Sequence, residues 1–311
     1  EPIGLMDRDS VMKRITTAGL TANEAGYLWM DDSLGLVLDK LDDLGIADNT
    51  IVLFVADHGS NRKGSLYRQR GTEVPCIMRW PNGMPKGAQS DALVQNTDFV
   101  PTWFDVAGAK IPKGYKMDGV SLAPLFKNPQ ADVREYVYAE MGASRAVRTK
   151  DWSYMALRFT KDQVEEMRKN ERLLEKTLTG LSGGISRGRG NPESMSYDQL
   201  YNIASNPEET KNLASNPEFG GTLEEMKKLL VQELKRFPDR PFGEFIPGGN
   251  AMPAGSYEDI LEDMRGYMGQ FDGDVKKQNQ AKKQNNKKPA ESGNASKKAE
   301  RQARKAQREK K

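Results

Sequence analysis

From Thr50 to Gly59 the chain reads Thr-Ile-Val-Leu-Phe-Val-Ala-Asp-His-Gly. A strand with one wet face alternates apolar and polar residues, whereas Ile51 to Ala56 is continuously apolar. The run therefore predicts a strand covered on both faces of an α/β sheet. It stops on a carboxylate, an imidazole and a glycine, where an open α/β sheet keeps its ligand crevice, beyond a strand's carboxyl end. Upstream, Thr21-Ala-Asn-Glu24 is a capping box. Tyr27, Met30, Leu34, Val37, Leu38, Leu41 and Leu44 recur at helical spacing until Gly45, which predicts a helix with a core-facing stripe. Helix, short turn and strand form the second half of a βαβ unit.

Beyond this centre, Val74 to Pro81 predicts a second short strand. Thr97 or Asp98 caps a helix through Phe99, Trp103, Phe104 and Val106, and Lys116 to Leu125 reads as a loop. The texture then changes. Tyr136–Ala139, Arg145–Thr149 and Trp152–Leu157 alternate, as strands of an antiparallel sheet do. A charged, exposed helix follows from Lys161 to Leu181, then a glycine-rich loop from Gly180 to Gly190. Tyr197 to Ile203 reads as another strand, and Thr222-Leu-Glu-Glu225 caps a helix carrying Leu223, Met226, Leu229, Leu230 and Leu234. The expected division is an α/β part over 1–130, a smaller α+β part with an antiparallel sheet over 131–247, and a linker with a low-complexity tail over 248–311.

Charge sharpens this picture. The 311 residues carry a net +3, but 276–311 alone hold 14 Lys or Arg against three Glu, so the rest is a mildly acidic body with a net −8. The tail predicts a disordered, solvated extension; its rival reading is a polyanion contact through 276–311, by counterion release. The lone cysteine, Cys76, excludes an internal disulfide and reads as a small core residue. No apolar run approaches the roughly 18 residues of a membrane span. The first residue is Glu1 and nothing there reads as a signal peptide, so the chain is expected to begin within a longer protein.

Asp57 and His58, the only histidine in the chain, could each present a ligand atom to a divalent cation. Two ligands cannot complete the shell of Ca²⁺ or Mg²⁺, so further donors must come from elsewhere. Lys63 follows in a Gly/Ser-rich loop and suits a tetrahedral oxyanion held by that cation. The bland alternative is that Asp57 caps a turn and His58 is a polar loop residue. Asp32 reads as structural, Asp98 and Thr102 as capping residues, Arg145 and Arg148 as surface or interdomain pairs, and Trp80 and Trp103 as core or interface aromatics.

Six ordered segments change the odds for the site: Trp29–Asp39, Asp48–Gly59, Lys63–Tyr67, Gly71–Pro81, Thr97–Thr102 and Asp118–Leu122. Together they resemble the sulfatases of the alkaline phosphatase superfamily, with Tyr197–Ile203 and Asn206–Leu213 similar to the element before that family's last helix. The resemblance covers roughly Leu20 to Phe237. It implies an alkaline-phosphatase-like mixed sheet sandwiched by helices, with Ca²⁺ as metal and Mg²⁺ as second choice. It also implies Asp57 and His58 as metal ligands and Lys63 as the sulfate contact.

The family's nucleophile, a Cys or Ser in C/S-x-P/A-S-R oxidised to formylglycine, has no counterpart here, since Cys76 precedes Ile-Met-Arg. Its other metal carboxylates, histidines and second lysine lie upstream of the helix at Thr21. Arg68 replaces the usual acidic residue after Tyr67, and the loop to Pro75 is one residue longer. The expectation is the C-terminal portion of a sulfatase that acts on a sulfate ester, either a sulfated polysaccharide or an aryl sulfate. Alone it would be inactive; the parent would be periplasmic or extracellular. Two rivals are a phosphatase or phosphodiesterase of the same superfamily, which would want more histidines, and a non-catalytic remnant whose tail binds polyanions.

Overall fold

The computed structural model describes residues 6–59, 65–169, 196–249, 251–252 and 262. Lys63, the glycine-rich stretch and all of the basic tail beyond 262 lie outside them. Helix α1 (Arg8–Thr17) starts where Asp7 accepts from the N–H groups of Asp9 and Ser10, at 2.9 and 3.0 Å. This satisfies two of the orphan donors of the first turn. The capping box forms as read: Glu24 accepts from the Thr21 N–H at 2.8 Å, a 3₁₀ turn follows, and α2 (Ala25–Asp43) runs on to Gly45 at φ 65°. Asp32 pairs with Arg14 across the two helices at 2.6 Å.

The stripe on α2 does not face a core. No α2 residue is buried, and Tyr27, Met30, Val37 and Leu44 are exposed. Leu34, Leu38 and Leu41 of the stripe are half-buried, and among the described residues none of the stripe is fully covered. The same holds for β1 (Val52–Val55), which pairs antiparallel with β2 (Cys76–Arg79) in a two-stranded sheet. Val52 to Phe54 are half-buried and Val55 exposed, so the strand is not covered on both faces as its composition predicted. Cys76 is exposed too, which corrects its assignment to the core.

Helix α3 (Phe99–Val106) is preceded by a 3₁₀ turn closed by Asp98, whose carboxylate has no solvent exposure. It accepts from the N–H groups of Gln95 and Val120, at 2.8 and 3.0 Å, and from Arg134. Thr102 donates its hydroxyl proton to the Asp98 carbonyl at 2.6 Å and accepts from the Leu122 N–H at 2.8 Å. Gly119 must be glycine, because a Cβ there would lie 2.0 Å from the Thr97 carbonyl oxygen. The segment expected as a loop ends in a short helix, α4 (Ala123–Lys127), with proline in its first turn.

A four-stranded antiparallel sheet holds the main core: β3 (Val137–Met141), β4 (Ser144–Arg148), β5 (Trp152–Leu157) and β6 (Asp198–Asn202), in that order. Helix α5 (Lys161–Lys169) departs after β5, and the backbone of Leu157 bonds Tyr197 at 2.8 Å across the neck of that excursion. Alternation sends Val147, Tyr154, Ala156 and Leu200 to one face, against Met226, Leu230 and Leu234 of α6 (Gly220–Leu234). Ala146, Met155 and Tyr201 go to the other face, against Leu66 and Tyr67. The last helix is capped earlier than Thr222: Asn216 accepts from the Glu218 N–H, and a 3₁₀ turn leads into Gly220.

Candidate metal and anion site

The β1 strand delivers Asp57 and His58 to its carboxyl end, as the sequence required. The two side chains meet there: His58 Nε2 lies 3.4 Å from Asp57 Oδ2, with the Asp57 side chain 86% exposed and that of His58 34% exposed. His58 Nδ1 is 2.9 Å from the Gly59 carbonyl oxygen. A carbonyl only accepts, so Nδ1 carries the proton in that contact, and Nε2 is the nitrogen left facing the carboxylate, able to present a lone pair there. Two lone-pair donors facing each other repel unless a proton or a cation sits between them. The carboxylate is open on its solvent side, and the pair is incomplete as a metal centre. Among the described residues, no group of three or more His, Cys, Asp or Glu is placed to hold a metal ion.

The backbone around the pair is held from outside. The Ala56 N–H donates to the Pro75 carbonyl at 3.2 Å and the Gly59 N–H to the Gly71 carbonyl at 2.9 Å. Gly71 belongs to a wide turn at Arg68–Thr72. Residues 65–67 before it are buried, with the Tyr67 hydroxyl donating to Gln199 Oε1 at 2.6 Å. Lys63 lies outside the described residues; its flanks are Gly59 on one side and Ser65, which accepts from the Tyr67 N–H at 3.1 Å, on the other.

Of the arginines weighed as strand residues, Arg145 pairs with Glu140 on the same hairpin at 3.2 Å. Arg148 instead crosses to the wide turn, donating to the Leu66 carbonyl at 3.1 Å and to Thr72 Oγ1 at 3.2 Å. Glu209 pairs with it at 3.3 Å and also accepts from the Arg68 N–H. Sequence reading did not single out Glu209. The one local signal is Asn206-Pro-Glu-Glu, a turn signature in which Asn206 accepts from the Thr210 N–H at 3.2 Å.

Comparison with solved structures gives the class first. The structure of a protein in complex with its substrate D-glucosamine-2-N,6-O-disulfate superposes with a TM-score of 0.52 at 23% identity, over 70% of this chain and 40% of that one. A putative sulfatase from Bacteroides thetaiotaomicron gives 0.50 at 23% identity, over 75% and 48%. These likenesses define an alkaline-phosphatase-like α/β fold.

A family model described as Sulfatase matches residues 20–109. An ulvan-active sulfatase of Formosa agariphila is 32% identical over 250 residues, 73% of this chain and 41% of the relative. An N-acetylglucosamine-6-O-sulfatase of Bacteroides thetaiotaomicron is 26% identical over 234 residues, 69% and 35%. The chain is similar to sulfatases through the family model over residues 20–109 and through these relatives. It spans about two fifths of the length of the ulvan-active relatives it matches.

Proposed function

We propose that this chain supplies part of the active centre of a sulfuric ester hydrolase, with Asp57 and His58 as two ligands of a Ca²⁺ ion and Lys63 as a contact to the sulfate. The observation that carries the reading is the facing pair of Oδ2 and Nε2 at 3.4 Å. Two ligands at right angles around Ca²⁺, with bonds of about 2.3–2.6 Å, stand about 3.3–3.7 Å apart; around Mg²⁺, at about 2.0–2.1 Å, they stand about 2.8–3.0 Å apart. The observed separation suits the larger ion, and the open carboxylate leaves room for it. Remaining donors, and the formylglycine nucleophile, would come from residues outside this chain.

A divalent cation held there would supply positive charge beside the sulfuryl oxygens. The chain's own part is positional. Asp57 brings a solvent-open carboxylate, the Gly59 carbonyl orients the His58 ring, and Lys63 would bring an ammonium to an anionic substrate. The two relatives named for ulvan and N-acetylglucosamine-6-O-sulfate favour a sulfated polysaccharide as substrate. Action on such a polymer would place the protein outside the cytoplasm.

The test is Asp57→Asn in the intact polypeptide, read by calcium calorimetry and by release of sulfate from an ulvan or glucosamine-6-sulfate substrate. Loss of a charged ligand is expected to weaken calcium binding by about tenfold or more, with turnover falling in parallel. Calcium affinity equal to that of the unsubstituted protein would remove Asp57 from the ligand set.

A further inference from the structure

The pair at the end of β1 is held by a chain of contacts that begins in the other sheet. Glu209 is fully buried and sits at φ 52°, a conformation that costs a non-glycine residue energy. Glycine would relieve that strain and would bring no carboxylate. The Glu209 carboxylate accepts from the Arg68 N–H, at the first residue of the wide turn, and pairs with Arg148. Arg148, on β4, grips the same turn at two further points, the Leu66 carbonyl before it and the Thr72 hydroxyl at its end. The turn is thus fastened at its entry and its exit. Between those points lies Gly71, whose carbonyl accepts the Gly59 N–H at 2.9 Å. A Cβ on Gly71 would meet the Ser65 carbonyl oxygen at 3.1 Å, so the turn is also tightly closed on itself.

We infer that Glu209 and Arg148 are positioning residues for the Asp57-His58-Gly59 turn, acting through the Arg68–Thr72 turn and the Gly71 carbonyl. The functional consequence rests on the proposed metal role of Asp57 and His58; the mechanical link does not. Side chains 61 residues apart, both within the second sheet's neighbourhood, set where the donors at the end of β1 stand. A salt bridge that merely stabilised its own sheet would have no reason to reach two atoms of this turn and a third just before it.

The experiment uses the whole chain and the fact that His58 is its only histidine, so the imidazole ring signals are unambiguous in NMR. Arg68→Pro removes the N–H that Glu209 accepts. Proline suits the start of a turn, and Tyr67 before it is already extended at φ −61°, ψ 143°. It also deletes the Arg68–Glu73 ion pair at 2.6 Å, so Glu73→Ala serves as the control for that loss. Arg68→Pro is expected to speed hydrogen exchange of the Gly59 amide about tenfold, as loss of one buried hydrogen bond would, and to shift the His58 signal. Amides of β5 should keep their protection, and Glu73→Ala should leave Gly59 and His58 unchanged.

Should Arg68→Pro compromise folding, Thr72→Val releases the other end of the turn at nearly constant volume, with an expected change of about threefold at Gly59. Gly59 exchange within twofold of the parent in a folded Arg68→Pro or Thr72→Val protein would overturn the inference. Calcium calorimetry of Asp57→Asn in the intact polypeptide separates the two layers. If calcium affinity there is unchanged while Arg68→Pro still frees Gly59, the clamp stands and the metal role falls. If Asp57→Asn weakens calcium binding and the Arg68→Pro and Thr72→Val variants leave Gly59 untouched, the metal role stands and the clamp falls.

Discussion

Asp98 shows what one residue can hold. Its carboxylate, without solvent exposure, accepts from two backbone N–H groups and from Arg134, whose side chain is 10% exposed. Removing one partner of a buried pair leaves the other charged and desolvated. Arg134→Met is therefore expected to destabilise the protein by about 3 kcal/mol in urea unfolding, whereas an exposed pair such as Lys150–Asp132 should be worth less than about 1 kcal/mol. A loss below about 1 kcal/mol for Arg134→Met would mean that the two backbone donors suffice. The sequence showed Asp98 as a cap, which is the local half of its role. Val120 and Arg134 lie 22 and 36 residues away, and no periodicity encodes such a meeting. Cys76 failed for a related reason: composition reports that cysteine is often buried, but exposure depends on what covers β2.

Elements were most legible in the second sheet. All four of its strands were readable as short β-forming runs between tight turns, and the register Tyr154↔Leu200 and Val147↔Tyr154 gathers the residues of one of its two packed faces. What ties β5 and β6 to the chain's later part was not readable. Arg158, 1% exposed at its side chain, donates to Asp198 at 2.8 Å and to Glu244 at 2.6 Å, while Tyr154 donates to Asp198 at 2.8 Å. Burial alone would raise the Asp198 pKa, but Arg158, Tyr154 and Lys227 hold it below the usual 3.8. Glu244 is likewise held below 4.5, against burial, chiefly by its hydrogen bonds with Arg158.

Both groups are thus more acidic folded than unfolded. Their contribution is full above the unfolded values and drains away as pH falls through the lower folded ones. Glu244→Gln should therefore cost stability at pH 6, and the gap to the parent should narrow as the pH is lowered from about 5 to about 3 in urea titrations. A gap that stayed constant over that range would show that Glu244 contributes packing rather than charge. Half-exposed as it is, Glu244 will give a modest effect.

For the molecule as a whole, the contrast between its two sheets dominates. The four-stranded sheet is packed on both faces, whereas α2 and the β1–β2 pair leave Tyr27, Met30, Val37, Leu44, Val55 and Ile77 exposed. This contrast was not legible beforehand, because a hydrophobic pattern states which face should be buried without stating what buries it. Exposed apolar surface of this kind promotes association. Val37→Lys with Ile77→Thr is expected to lower the association seen by light scattering at raised concentration, while changing stability by no more than about 0.5 kcal/mol per site. Unchanged scattering would place the sticky surface elsewhere. Among the described residues, no helix is long and apolar enough to cross a membrane.

The Leu157–Tyr197 bond has a consequence for how this fold can vary. It closes the neck of the excursion between β5 and β6, so the sheet's register is fixed on the near side of whatever the chain does between Lys169 and Ser196. Closing a chain segment whose ends are already tied costs only about 0.6 kcal/mol more for each doubling of its length. The Leu157–Tyr197 neck is therefore a point past which an insertion would leave the register of β5 and β6 undisturbed.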